Sequence, residues 1–100
     1  LDGSRSPFDQ LKTIVDAVGG KIEIIVDGGI RRGTHVLKAL SLGATACSFG
    51  KGFLFALSAG GQKGVEMILQ RMKEELRRDM ILLGKKNIAD LSKDNIAITN

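Results

Sequence analysis

One hundred residues carry 15 Lys and Arg against 11 Asp and Glu, a formal charge of +4, and are 43% hydrophobic. That length suits one domain with a modest core and is too short for a complete (β/α)8 barrel, which takes about 250 residues. No run of about 18 apolar residues offers a membrane span, and no basic-then-apolar opening reads as a signal peptide. One Cys cannot form an internal disulfide, so a reduced, cytoplasmic setting is expected. The positive charges are scattered, Tyr and Trp are absent, and the four Phe do not alternate with basic residues. Nucleic acid is therefore not an expected partner.

The predicted elements alternate. Ser6 is an N-cap and Pro7 a first helical residue for a helix over residues 6–18, with Phe8, Leu11, Ile14, Val15 and Val18 at helical spacing and Gly19-Gly20 as the stop. Residues 21–26, Lys-Ile-Glu-Ile-Ile-Val, read as a short buried strand closed by Asp27-Gly28-Gly29. A second helix starts at Gly33-Thr34, carries Val36, Leu37, Leu40 and Leu42 on its apolar side, and ends at Gly43. Residues 44–49 are small and apolar and read as a second strand.

A short apolar helix is expected over residues 52–59, then a break at Gly60-Gly61. The longest helix follows at about residues 62–83, with a stripe of Val65, Ile68, Leu69, Met72, Leu76, Met80 and Leu83 and a Glu74–Arg78 surface pair. Met67 is expected beside that stripe. Gly84 ends the helix, and residues 85–100 form a tail with one turn near Ile88–Leu91 and loose last residues. Two strands joined by a helical crossover are parallel, so the chain reads as α/β with a βαβ unit.

The chemistry belongs at the strand ends. Asp27-Gly28-Gly29-Ile30-Arg31-Arg32-Gly33 and Ser48-Phe49-Gly50-Lys51-Gly52 each leave a predicted strand and enter a helix, which is the ligand side of a parallel α/β sheet. Glycines there let backbone N–H groups approach an anion, and the next helix N-terminus adds partial positive charge. Arg31 can grip a phosphate with two donors, while Lys51 acts as a point charge. Asp27 suits hydroxyl donors better than phosphate, so the expected ligand carries both a polyol and a phosphate.

Residues 25–34 (Ile-Val-Asp-Gly-Gly-Ile-Arg-Arg-Gly-Thr), residues 36–44 (Val-Leu-Lys-Ala-Leu-Ser-Leu-Gly-Ala) and Phe49-Gly50-Lys51 resemble the C-terminal part of the FMN-dependent 2-hydroxy-acid oxidoreductases, the family of L-lactate dehydrogenase, lactate oxidase and glycolate oxidase. The likeness extends through the long helix to Ala89-Asp90-Leu91. It implies an α/β fold forming the last two βα units of a (β/α)8 TIM barrel, with residues 1–100 as a C-terminal fragment. It also implies FMN as cofactor, with Asp27, Gly28, Gly29, Ile30, Arg31, Gly50 and Lys51 forming its site, Asp27 on the ribityl chain and Gly29, Arg31, Gly50 and Lys51 holding the phosphate. The implied reaction oxidises a small L-2-hydroxy acid to the 2-oxo acid.

The sequence departs from the family pattern in three places. Lys51-Gly52 stand where the family usually has Arg-Pro. His35 stands where an Asp usually follows Arg-Arg-Gly-Thr, and is expected at the surface. Leu1-Asp2 match the end of the family's His-Gly-Gly-Arg-Gln-Leu-Asp, so the catalytic His and the substrate-binding Arg are not among these residues. The isolated chain is thus expected to contain no catalytic residue, to be inactive, and to need the remainder of a barrel or a second copy. Alternatives are a non-catalytic phosphate-binding or self-associating half-barrel, or part of another phosphate barrel such as inosine monophosphate dehydrogenase or an FMN-dependent isomerase. No His, Cys and carboxylate spacing suggests a metal, and Cys47 is expected to be core filler.

Overall fold

A computed structural model describes residues 2–97. The element order is α1 (Pro7–Val18), β1 (Ile25–Asp27), α2 (Gly33–Ser41), β2 (Ala46–Ser48) and α3 (Lys51–Leu83), followed by 3-10 turns at Ile88–Asp90 and Lys93–Asn95. The strands are parallel, with Ile25 opposite Ala46, Val26 opposite Cys47 and Asp27 opposite Ser48.

α1 starts as its sequence dictates. The Ser6 hydroxyl accepts the Asp9 N–H at 3.1 Å and Pro7 occupies the first turn. The helix lays Phe8, Leu11 and Val15 on one face of the sheet, where Leu11, Val26, Ala39 and Ala44 form the core with Ile24, Leu42 and Cys47 packed against it. α2 covers the same face, and the second half of α3 packs on α2.

The strands are shorter than the predicted residues 21–26 and 44–49. A ladder needs a partner at each rung. Ile24 donates its N–H to the Thr45 hydroxyl at 3.0 Å, and residues 21–23 have no ladder partner among the described residues. The first strand is also not buried throughout: Val26 is 4% exposed, but Ile25 is 65% exposed. Side chains alternate across a strand, and only the face that meets α1 and α2 is covered among the described residues.

α3 runs from Lys51 to Leu83 with one interruption. Gly61 has φ 60° and ψ −145°, a conformation essentially reserved for glycine, and it breaks the axis into the two helical stretches expected from the Gly60-Gly61 pair. Beyond the break Met72 is the buried centre. Leu69 and Leu83 are exposed, contrary to the predicted stripe, as is Met67 beside it, because α2 reaches only the middle of this helix. The expected Glu74–Arg78 pair is not formed. Arg78 turns to Asp79 at 3.0 Å, and Glu74 accepts from Gln70 instead. Gly84 ends the helix in the left-handed region, as its position predicts. In the tail, the turn expected near Ile88–Leu91 is present as the 3-10 turn Ile88–Asp90, and Leu91 is buried; the last residues expected to be loose include residues 98–100, outside those described.

Candidate functional site

The pairing of Asp27 with Ser48 brings the two strand ends level, so the loops that follow leave on the same side. A hollow of about 1030 Å³ opens between them, lined by Asp27, Gly28, Gly29, Ile30 and Arg31 from the first loop and by Phe49, Gly50, Lys51 and Gly52 from the second. Phe55, Ala56 and Ile68 of α3 complete the wall. Every residue expected at the site is therefore on this one hollow.

Its lining sets Arg31, Lys51 and glycine backbone beside the Asp27 carboxylate. Gly28 and Gly29 take φ values of 102° and 78°, which turn the chain tightly after β1 and leave the backbone uncovered by side chains. Ile30, next to Arg31, is 3% exposed, so the loop carries one buried apolar side chain. Arg31 and Lys51 are exposed, and neither is in an ion pair among the described residues. Gly50 caps α3 without a side chain, so no side-chain acceptor covers the first amides of that helix. Two cations, glycine backbone and an open helix start thus converge on one space.

The second helix start is different, which corrects the expectation that both contribute. The N-terminus of α2 is already occupied by Glu75 of α3. Its carboxylate accepts from the Arg32 guanidinium, Nε at 2.8 Å and Nη2 at 2.7 Å, and from the Gly33 backbone N–H. Burial pushes the Glu75 carboxyl up. The Arg32 and Gly33 hydrogen bonds with the Arg32 and Arg71 charges outweigh burial and hold it below the usual carboxylate range. One turn on, Thr34 donates to Asp79 at 2.6 Å; that bond, working against burial and aided by Arg78 and Arg32, lowers the Asp79 carboxyl as well. The adjacent arginines therefore part company. Arg31 stays on the hollow while Arg32 ties α2 to α3.

His35 is not a free surface residue. Its Nδ1 accepts the backbone N–H of Arg31 at 3.1 Å, while its backbone N–H donates to the Arg32 carbonyl at 3.0 Å. Glu75, Asp79 and this imidazole contact were not foreseen from the sequence. The Glu75 and Asp79 contacts span 43 and 45 residues and leave no local pattern. The His35 contact could have been suspected from its place three residues after Arg32, where a side chain reaches back over a helix start. Cys47 is half-buried in the core as expected, and burial pushes its thiol up. Among the described residues no cluster of His, Cys, Asp and Glu could hold a metal, and no helix is long and apolar enough to cross a membrane.

A parallel βαβ unit with a hollow at its strand ends defines an α/β protein of the kind that takes ligands at that end of its sheet. The family model described as FMN-dependent dehydrogenase matches residues 1–98. The chain is 46% identical over 93 residues to 2-hydroxyacid oxidase 1 of Mus musculus, covering 93% of this chain and 25% of that protein. It is 45% identical over 96 residues to L-lactate dehydrogenase of Vibrio cholerae, covering 96% and 25%. Among solved structures, the flavin-binding domain of baker's yeast flavocytochrome b2 superposes with a TM-score of 0.87 at 38% identity, over 100% of this chain and 29% of that one. An active chimera of (S)-mandelate dehydrogenase gives 0.88 at 35% identity, over 95% and 26%. This chain belongs to the FMN-dependent dehydrogenase family, whose cofactor is FMN, and its fold is a portion of a (β/α)8 barrel. It spans about a quarter of the length of the curated relatives it matches.

Proposed function

We propose that these residues form the phosphate end of the FMN site in an enzyme that oxidises a small L-2-hydroxy acid, of the lactate or glycolate class, to the 2-oxo acid. The observation that carries this reading is the level pairing of Asp27 with Ser48, which sets Arg31 and Lys51 on one hollow with no ion-pair partner among the described residues. The donor set fits a phosphomonoester: a planar guanidinium, an ammonium, glycine backbone and an open helix start. The names of the relatives, 2-hydroxyacid oxidase and L-lactate dehydrogenase, support the substrate class.

In this reading Arg31 and Lys51 neutralise the phosphate, and the uncovered backbone at Gly28, Gly29 and Gly50 lets it sit close. Ile30 fixes the loop from below. Asp27 accepts hydrogen bonds from hydroxyls of the ribityl chain, which orients the cofactor along the strand ends. FMN, once bound, supplies the acceptor for the electrons and hydrogen lost from C2 of the hydroxy acid.

These 100 residues hold one His and no Tyr, and that His is engaged with the Arg31 amide. No described side chain is placed to take the hydroxyl proton, so the chain alone binds FMN without turning over. Exposed Ile25, Leu54 and Phe55 support a partner that covers them, either the remainder of a barrel or a second copy. A reduced, cytoplasmic setting accompanies this reading, supported by the single free thiol.

Titration of the chain with FMN, followed by flavin fluorescence, tests the assignment. Arg31→Ala and Lys51→Ala should each weaken binding about tenfold, the scale of a charge-assisted contact. Unchanged affinity in both variants overturns the cradle.

A further inference from the structure

The contact between His35 and the Arg31 amide has a role in the cofactor site, and the inference rests on the flavin reading of the hollow. We propose that His35 is a positioning residue: its neutral imidazole holds the Arg31 backbone so that the guanidinium is presented to the phosphate, and a proton on Nδ1 releases that hold.

The geometry sets the proton inventory. Arg31 N–H is the donor at 3.1 Å, so Nδ1 must be the bare nitrogen and the imidazole proton lies on Nε2. An imidazolium has N–H at both positions and offers this amide no acceptor. The loop then depends on the buried Ile30 and the Arg32–Glu75 bridge alone. Since His35 also starts α2 through its N–H to Arg32, one residue joins the helix start to the cofactor loop.

The surroundings favour the bare form. Partial burial disfavours the charged ring, and Lys38 on α2 with Arg32 and Arg31 on the preceding loop add positive charge around it; Glu75 of α3 is the opposing group. The imidazole accordingly titrates below the ordinary histidine range. Phosphate held by Arg31 would favour imidazolium by simple attraction, which predicts tighter binding in acid. The hydrogen bond predicts the opposite sign, so the two effects are separable.

The test compares the wild-type chain with His35→Asp, whose carboxylate accepts from the same amide and does not titrate between pH 5.5 and 8. FMN affinity is measured by fluorescence at several pH values across about 5 to 8, a span that includes the second ionisation of a phosphate monoester near pH 6. The ratio of the two dissociation constants cancels the ionisation of free FMN. Wild-type binding should weaken relative to the variant by about fivefold as pH falls, the scale of one hydrogen bond. A ratio independent of pH, or wild type tightening in acid, overturns the proposal. In parallel, the Arg31 amide shift in ¹H–¹⁵N spectra should follow the His35 titration in wild type and lose it in the variant. Should FMN bind neither protein, the flavin reading fails, while the amide titration still decides whether His35 holds the loop. An Arg31 amide indifferent to His35 overturns the inference whatever the flavin does.

Discussion

Gly33 lies against the backbone of α3 so closely that a Cβ built on it would collide with the carbonyl oxygen of Met72. The same atom would stand 2.7 Å from the Leu76 nitrogen and 2.8 Å from the Glu75 Cβ. Met72 is the most deeply buried residue of α3, so the two helices meet where one has no side chain. Helix propensity alone predicts that Gly33→Ala stabilises by up to about 1 kcal/mol. Overpacking against backbone costs roughly 1–3 kcal/mol, and backbone cannot swing aside, so the steric effect wins. The expected outcome is a lower midpoint in urea and in thermal unfolding; a stabilised Gly33→Ala would mean that the α2–α3 approach is looser than described.

The neighbouring arginines should fail differently. Arg31→Ala should cost FMN affinity with little change in unfolding midpoint, because its side chain has no ion-pair partner among the described residues. Arg32→Ala should lower stability by about 1 kcal/mol, since its guanidinium is half exposed but its partner Glu75 is not. Paired thermal melts and flavin titrations of the two variants check the contrast, and identical behaviour of the two would contradict the assigned roles.

Acid should loosen the α2–α3 junction before the rest. Glu75 and Asp79 both have folded-state carboxyls lowered from their ordinary values. Their contribution to stability is therefore complete above the unfolded values of about 4.3 and 3.9 and is lost as pH falls through the lower folded ones. Unfolding midpoints measured from pH 6 downward should fall across that window, and the fall should be shallower in a Glu75→Gln, Asp79→Asn double variant. His35 adds a second, higher step. Its folded value is lowered, so its contribution is complete above about 6.5 and declines as pH drops through the folded value.

What the sequence made legible was local chemistry. Ser6-Pro7, Gly84 and the apolar spacing of α1 are decided within a few residues, and they stand as expected. That these residues would share one hollow was legible because glycines and cations at two strand ends converge when the strands are adjacent and level. What escaped was decided by distant partners. Nothing around residue 32 says that Arg32, and not Arg31, will meet a carboxylate 43 residues later. Nor does Ile25 look different from Val26, yet one faces open space and the other the core, because helices cover only one side of the sheet among the described residues.

Gly61→Ala should be costly although no heavy atom lies within 4 Å of its would-be Cβ. The penalty comes from a backbone conformation that an L side chain resists, on the order of 1–3 kcal/mol. Relief is available by straightening α3, so the variant should show higher helicity by circular dichroism together with weaker FMN binding. Unchanged ellipticity and affinity would argue that the break tolerates a side chain.

That break also divides α3 by occupation. Residues 51–60 contribute Lys51, Gly52, Phe55 and Ala56 to the wall of the hollow, with Ile68 added from beyond the break, whereas Glu75 and Asp79, further along, hold α2. An unbroken rod would couple the two, because any rotation that retuned the wall would twist the junction out of register. With a glycine joint between them, most of the wall, Phe55 for instance, lies on a separate helical stretch from the junction. The break is thus a seam between the stretch that lines most of the hollow and the stretch that supports α2.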